Sequence, residues 1–465
     1  MEYIESLLQE NRGRGLELQA QHINPSFARV LSTIGFDRPY VRGKGAHLWD
    51  AEGNQYLDML SGYGVFIHGR NHPVIRANLK AAMDMDLPNL VKMDAPVLSG
   101  LLAKELCARA AHAKCDSVFF ANSGAEAVEA AMKFARAATG RDSFLYLDHG
   151  YHGLTLGALS LNGCSHFRHG FGDLPPSKQL NLGDLNALET ELKTKRYAGF
   201  VFEPVQGKGV FFPEDDYYQK AQELCRKYGT LFIADEVQSG MGRTGRFFAH
   251  EHWGLQPDII TLSKGLSGGY VPVSAVLTRR DIHKKTFSSM DRSVVHSSTF
   301  SQNDMAMAAG LVALKVLDDE KLAQNAERMG GLIMERLRPL TATHEMFAAV
   351  RGKGLMIGFE FRKPKSLKLS MAWNMVHMAD KSLFSQMIVI PLYAQHRILT
   401  QVAGHNMDIV KIIPSLVMNE SDVDWFVRGF TQVMDELHNA PSKMLEISTR
   451  LAKAALLPGT QVSTP

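Results

Sequence analysis

Pro257-Asp258-Ile259-Ile260-Thr261-Leu262-Ser263-Lys264-Gly265-Leu266 is an apolar run that ends in a lysine set between small residues. A short continuous apolar run of this kind reads as a strand buried on both faces. A lysine just past its end can condense with an aldehyde to give an imine. Upstream, Thr230-Leu231-Phe232-Ile233-Ala234 is a second such run, followed by Asp235-Glu236-Val237-Gln238. An aspartate ending that strand can hold a cationic ring nitrogen.

Working outward, apolar runs and helical patterns alternate. Ser117-Val118-Phe119-Phe120 leads through Ala121-Asn122-Ser123-Gly124 into a helix over about 125–138. Ser143-Phe144-Leu145-Tyr146-Leu147 and Gly199-Phe200-Val201-Phe202 read as strands, and an amphipathic helix is expected over about 216–228. Continuous apolar strands alternating with helices predict an α/β domain with a mostly parallel sheet between helices. After about Met305 the pattern changes to long helices and then shorter strands such as Met356-Ile357-Gly358-Phe359-Glu360-Phe361. This predicts a smaller α+β domain that also takes in the N-terminal segment. The expected division is 1–72 (N-terminal segment of the small domain and dimer contacts), 73–315 (large domain), 316–440 (C-terminal small domain) and 441–465 (tail).

With 465 residues the chain exceeds one compact core. Its 51 basic and 48 acidic residues balance too closely for a nucleic-acid binder. Four cysteines without metal-ligand spacing point to a reducing cytoplasm. Met1-Glu2-Tyr3-Ile4-Glu5 does not open like a signal peptide. No apolar stretch reaches the ~20 residues of a membrane span.

Ligands of open α/β sheets bind beyond the carboxyl ends of the strands. Five such ends carry polar groups here. Asn122-Ser123-Gly124 opens a helix and offers backbone N–H groups, a hydroxyl and the helix dipole to a phosphate, although Ser123 alone reads equally as an N-cap. Tyr151 in Tyr151-His152-Gly153 could stack on an aromatic ring. His149 and His152 stand three apart, but no third ligand is near, so no metal is expected. Glu203-Pro204-Val205-Gln206-Gly207 ends another strand. Together with Asp235 and Lys264, each strand end suits a different part of one cofactor, pyridoxal 5′-phosphate (PLP).

The same motifs, with Gly242-Arg243-Thr244-Gly245 and Ser298-Thr299-Phe300, resemble the class III aminotransferases, the ornithine and ω-amino-acid group of PLP fold type I. The resemblance runs from about Asn24 to His438. It implies that Lys264 carries the Schiff base and that Asp235 pairs with the pyridinium nitrogen. It implies that Ser123, Gly124 and Ala125 bind the phosphate. Tyr151 and Val237 would bracket the ring and Gln238 would reach its phenolic oxygen, with His152 and Glu203 among the cofactor contacts. Thr299 would reach the phosphate of a neighbouring subunit in a homodimer with shared sites. Tyr63 would line the mouth of the substrate site. The implied reaction moves an amino group from an amine donor to a carbonyl acceptor. A decarboxylase, aminomutase or racemase of the same fold is the alternative chemistry.

Two departures bear on substrate. Relatives that bind an α-carboxylate commonly carry an arginine where this chain has Lys411, in Val410-Lys411-Ile412-Ile413-Pro414-Ser415-Leu416. Ornithine-type relatives carry a glutamate where this chain has Lys208. Lysine lacks the bidentate fork of arginine. The expectation is therefore a terminal amine or aldehyde on a larger or apolar body, with Lys208, Lys411, Arg397 and neighbouring His396 as candidate substrate contacts. An acetylornithine, ornithine or 4-aminobutyrate type is the alternative.

Overall fold

The central sheet has seven strands, in the spatial order Ser117–Ala121, Ser274–Thr278, Ile259–Leu262, Leu231–Asp235, Tyr197–Phe202, Ser143–Leu147 and Ser177–Leu180. Ser274–Thr278 runs antiparallel to both neighbours, and the other pairings are parallel. A computed structural model provides this description, covering residues 3–91, 93–379, 383–440 and 442. Apart from residue 442, the expected tail 441–465 lies outside the described residues.

Tyr197–Phe202, Ile259–Leu262 and Ser274–Thr278 are buried at every position, which is why they carry apolar runs rather than alternation. Alternate residues still face different layers. Phe144, Tyr146, Val201 and Ile233 pack with Ala127, Ala130, Ala131 and Phe134 of the helix Gly124–Thr139. Leu145, Leu147, Phe200, Phe202 and Phe232 pack with Tyr217, Tyr218, Ala221 and Cys225 of the helix Tyr217–Tyr228. The sheet is thus enclosed on both faces. The Phe202 and Phe232 rings lie 4.3 Å apart. Truncating either to alanine would cost about 3–5 kcal/mol.

The N- and C-terminal segments are stitched together. Tyr40–Lys44, His47–Asp50 and Gln55–Asp58 form a sheet completed by Ile398–Leu399, which pairs in parallel with Leu57 and Asp58. The Met59 carbonyl accepts from the Ile413 N–H at 2.9 Å, and the Ile67 carbonyl from the Leu416 N–H at 2.7 Å. A second sheet, Phe347–Lys353, Met356–Phe361, Ile409–Ile412 and Gln401–Val402, is antiparallel and packs on helices of the C-terminal segment. Its strand Ile409–Ile412 brings Lys411 towards the carboxyl edge of the central sheet. Among the described residues no helix is long and apolar enough to cross a membrane.

Candidate active site

Asp235, the last residue of Leu231–Asp235, is 3% exposed and is held at both oxygens. Oδ1 accepts from the Thr261 hydroxyl at 2.9 Å and the Val237 N–H at 3.1 Å. Oδ2 lies 2.7 Å from His152 Nδ1. A carboxylate oxygen accepts, so Nδ1 carries the proton. Thr261 is placed by the sheet itself, as the parallel partner of Asp235 in the ladder. Burial pulls the His152 pKa down, but the hydrogen bond and charge of Asp235, with the charge of Glu203, outweigh it and leave it raised. His152 Nε2 is buried and has no hydrogen-bond partner among the described residues.

Glu203 ties two loops together. Oε2 accepts from the Tyr151 N–H at 2.9 Å, and Oε1 from the Gly207 N–H at 2.8 Å. Burial raises its pKa, with Asp235 adding and His152 and the two N–H bonds opposing. His149 does not join His152: it is 4.9 Å from the Phe211 ring.

Ser123 caps the helix Gly124–Thr139, its hydroxyl accepting from the Glu126 N–H at 3.2 Å. The Glu126 carboxylate accepts from the Asn122 and Ser123 N–H groups at 2.6 and 3.2 Å, completing a capping box. The N-cap reading of Ser123 is the one seen here. The Gly124 and Ala125 N–H groups belong to the first turn, where no helical acceptor exists. A Cβ at Gly124 would come within 2.8 Å of Val237 Cγ1, so glycine lets the helix start and the Asp235 loop approach. Gly153, at φ +125°, packs the Tyr151 loop against Ala125, 2.7 Å from a would-be Cβ.

Lys264 follows Ile259–Leu262 with φ +44°, a left-handed conformation that a lysine adopts at a cost. Burial lowers its pKa, Asp235 and Glu203 oppose that, and Lys208 reinforces it. The Lys264 amine thus lies within reach of the charge of Asp235.

On the other side, Lys411 is 4% exposed, and Nζ donates to the Gly207 carbonyl at 2.6 Å and to Gln238 Oε1 at 3.0 Å. Gln238 Nε2 donates to the Tyr63 carbonyl at 3.0 Å. Half-buried Lys208 places Nζ 5.1 Å from the Tyr151 ring centroid and 5.3 Å from that of Phe167. Arg397 is exposed at φ +56°, beside Ile398–Leu399. No hydrogen bond or ion pair among the described residues joins its side chain to the Lys264 cluster. Thr299 is exposed, next to Ser298, whose hydroxyl accepts from Asn122 Nδ2 at 2.6 Å.

Two residues join the site without having been singled out from sequence. Thr261 could have been found from its ladder position opposite Asp235. Arg243 is fully buried, with Nη1 donating to the Leu355 and Pro414 carbonyls. Burial draws its pKa down to about 9. Its motif, Gly-Arg-Thr-Gly, gave no hint of that burial.

The Aminotransferase class-III family model matches residues 33–434. The chain belongs to the class III aminotransferases. It is 34% identical to Aminotransferase PigE from a Serratia species over 94% of this chain, but spans only 55% of PigE. It is 41% identical to the acetylornithine aminotransferase of Methanopyrus kandleri, over 69% of this chain and 80% of that one. Among solved structures, the ornithine aminotransferase of Toxoplasma gondii is similar at a TM-score of 0.79 with 29% identity, covering 95% of this chain and 100% of that one. That enzyme has been seen with partial occupancy of PLP at its active site.

Class III aminotransferases use PLP, and the residues of this class III aminotransferase fit it. The buried carboxylate of Asp235 is oriented by three donors, and the Lys264 amine sits within reach of its field. A helix start closed against Val237 offers N–H groups to a phosphate.

Proposed function

We propose that this aminotransferase moves an amino group between an amine donor and an aldehyde or keto acceptor through a Schiff base on Lys264, at a terminal position of a larger or apolar substrate. The observation that carries the reading is the meeting of Lys264, Asp235, Glu203, Tyr151 and the Ser123 helix start at one edge of the sheet.

When bound, PLP supplies an electron-poor ring that takes up the electron pair released as the C–H bond beside the substrate nitrogen breaks. Nζ of Lys264 takes that proton and returns it at the other end of the C–N unit. Burial favours the neutral amine that a base requires. Asp235 would keep the ring nitrogen protonated, and His152, Thr261 and the Val237 N–H hold its oxygens in place beforehand. Tyr151 and Val237 would bracket the ring, and Ser123, Gly124 and Ala125 would hold the phosphate.

The substrate reading is supported by the absence of an arginine fork at position 411 and by Tyr63, which is 59% exposed. The ornithine and acetylornithine aminotransferases among the relatives favour a second reading, a substrate of their type. A half-reaction screen separates the two. Long terminal amines, ornithine, acetylornithine and 4-aminobutyrate are added singly to PLP-loaded protein, and the cofactor absorbance is followed. Faster conversion by long amines is expected; faster conversion by ornithine or acetylornithine sinks the substrate reading.

The functional unit proposed is a cytoplasmic homodimer in which Thr299 reaches the partner's phosphate site. Exposed Thr299 is flanked by exposed Phe300 and Val294, apolar groups suited to burial in a dimer. Mixing Lys264→Ala with Thr299→Asp subunits should restore activity in part, because one site of each hybrid carries neither lesion. Exchange without recovery removes the shared-site assignment.

A further inference from the structure

The lysine at position 411 is engaged with the protein itself. A protonated lysine is donor-only. With the Gly207 carbonyl and Gln238 Oε1 as its acceptors, two of its three N–H bonds are taken. The amide orientation of Gln238 fits this contact: its oxygen faces the donating amine of Lys411, and Nε2 turns away. One N–H of Nε2 meets the Tyr63 carbonyl, and the other is left over.

Tyr63 belongs to an unusual segment. Ser61, Gly62, Tyr63 and Gly64 have φ of +50°, +60°, +59° and +87°, a full left-handed turn. Left-handed conformations are costly for L-residues and persist where surroundings over-determine them. Three anchors hold this turn. Asp58 Oδ1 accepts from the Ser61 N–H at 2.7 Å, the Ser61 hydroxyl donates to the Phe66 carbonyl at 3.0 Å, and Gln238 donates to Tyr63. The third anchor depends on Lys411.

We propose that Lys411 is a positioning residue and not a carboxylate clamp: it sets the Gln238 amide so that one N–H holds the left-handed Tyr63 turn and the other faces the phenolic oxygen of PLP. This rests on the PLP transaminase reading above. The charged groups facing Lys411 agree with it. Burial lowers its pKa to about 7, reinforced by Lys208, Lys264 and Arg243 and opposed by Glu203. An amine so readily neutralised, with two of its N–H groups already engaged, is a poor holder of a substrate carboxylate.

The test compares wild type with Lys411→Met, and with Lys411→Gln in case the first does not fold. Glutamine can donate and accept, so it no longer dictates which end of the Gln238 amide faces it. Three readouts are taken: the pH titration of the cofactor absorbance without substrate, the affinity of the apoprotein for PLP, and kcat and KM for 4-aminobutyrate against butylamine. Expected are a shifted absorbance titration, weaker PLP binding, and kcat lowered by about tenfold for both amines alike, the loss of one charge-assisted contact. KM rising only for 4-aminobutyrate, with an unshifted resting titration, would make Lys411 a clamp and overturn the proposal. Unchanged values in all three readouts overturn it as well. Wild-type protein that takes up no PLP breaks the underlying reading instead, so the two failures are distinguishable.

Discussion

At Asp235 a buried carboxylate meets three donors, whereas at Lys411 a buried amine meets two oxygens of neutral groups and no hydrogen-bonded carboxylate among the described residues. The Asp235 side, the ring side of the proposed function, is a finished ion site: its carboxylate is hydrogen-bonded at both oxygens within the protein. The other side, the substrate side of the proposed function, gathers Lys208, Lys411 and Arg243 with no acid hydrogen-bonded to them among the described residues, and burial pushes the pKa of each of them down. Charges left this way are either neutralised or turned to internal positioning. On the proposed function, fixed chemistry would sit on the side whose residues are paired, and substrate choice on the side whose residues are not.

The comparison breaks first at Lys264. Lys264→Ala should abolish the borohydride-reducible adduct and lower turnover by about 10⁴-fold, the upper range for losing a general acid–base group. Peptide mapping after reduction checks it, and labelling at Lys411 or Lys208 instead would invert the two sides. Next, Asp235→Asn should cost on the order of 10²-fold or more in kcat, several kcal/mol of lost charge-assisted stabilisation. A near-wild-type kcat would mean that the ring side is not finished by Asp235. A smaller effect, about tenfold, is expected for His152→Ala, which frees Oδ2 of Asp235 but leaves both Oδ1 donors. A loss as large as that of Asp235→Asn would show that His152 carries the ring contact itself.

The ring side was legible in the sequence because each of its groups ends an apolar strand. Asp235, Glu203, Lys264 and the Ser123 helix start follow buried runs, and a parallel sheet must bring such ends to one edge. Two strands of that sheet were harder to see. Ser177–Leu180 is an edge strand of Ser-Lys-Gln-Leu, half-exposed and hardly apolar. Ser274–Thr278 reverses direction between two parallel strands and has no motif at its end. On the substrate side the substitutions at 208 and 411 were visible, but their partners were not. The acceptors of Lys411 are a backbone carbonyl and an amide oxygen, distant in sequence and unmarked by any pattern. The left-handed turn at Tyr63 depends on glycines that permit it and on long-range anchors that impose it.

The finest test of the contrast is the pH dependence of stability at Lys411. Its pKa falls from an ordinary 10.5 to about 7 in the folded protein. Between those values the unfolded chain holds a proton that the folded chain has lost, so folding stability must rise with pH across that window. Lys411→Met removes this contribution. The stability of wild type minus that of the variant should therefore be greatest above about 10.5, decline as pH falls, and level off below about 7. The slope within the window should approach about 1.4 kcal/mol per pH unit, the value for one proton. Urea unfolding of both proteins in PLP-free form across that range measures it, and the subtraction cancels every group the two proteins share. A flat difference would mean that Lys411 stays charged when folded, held by an acid, and the substrate side would then be a paired ion site like the one at Asp235.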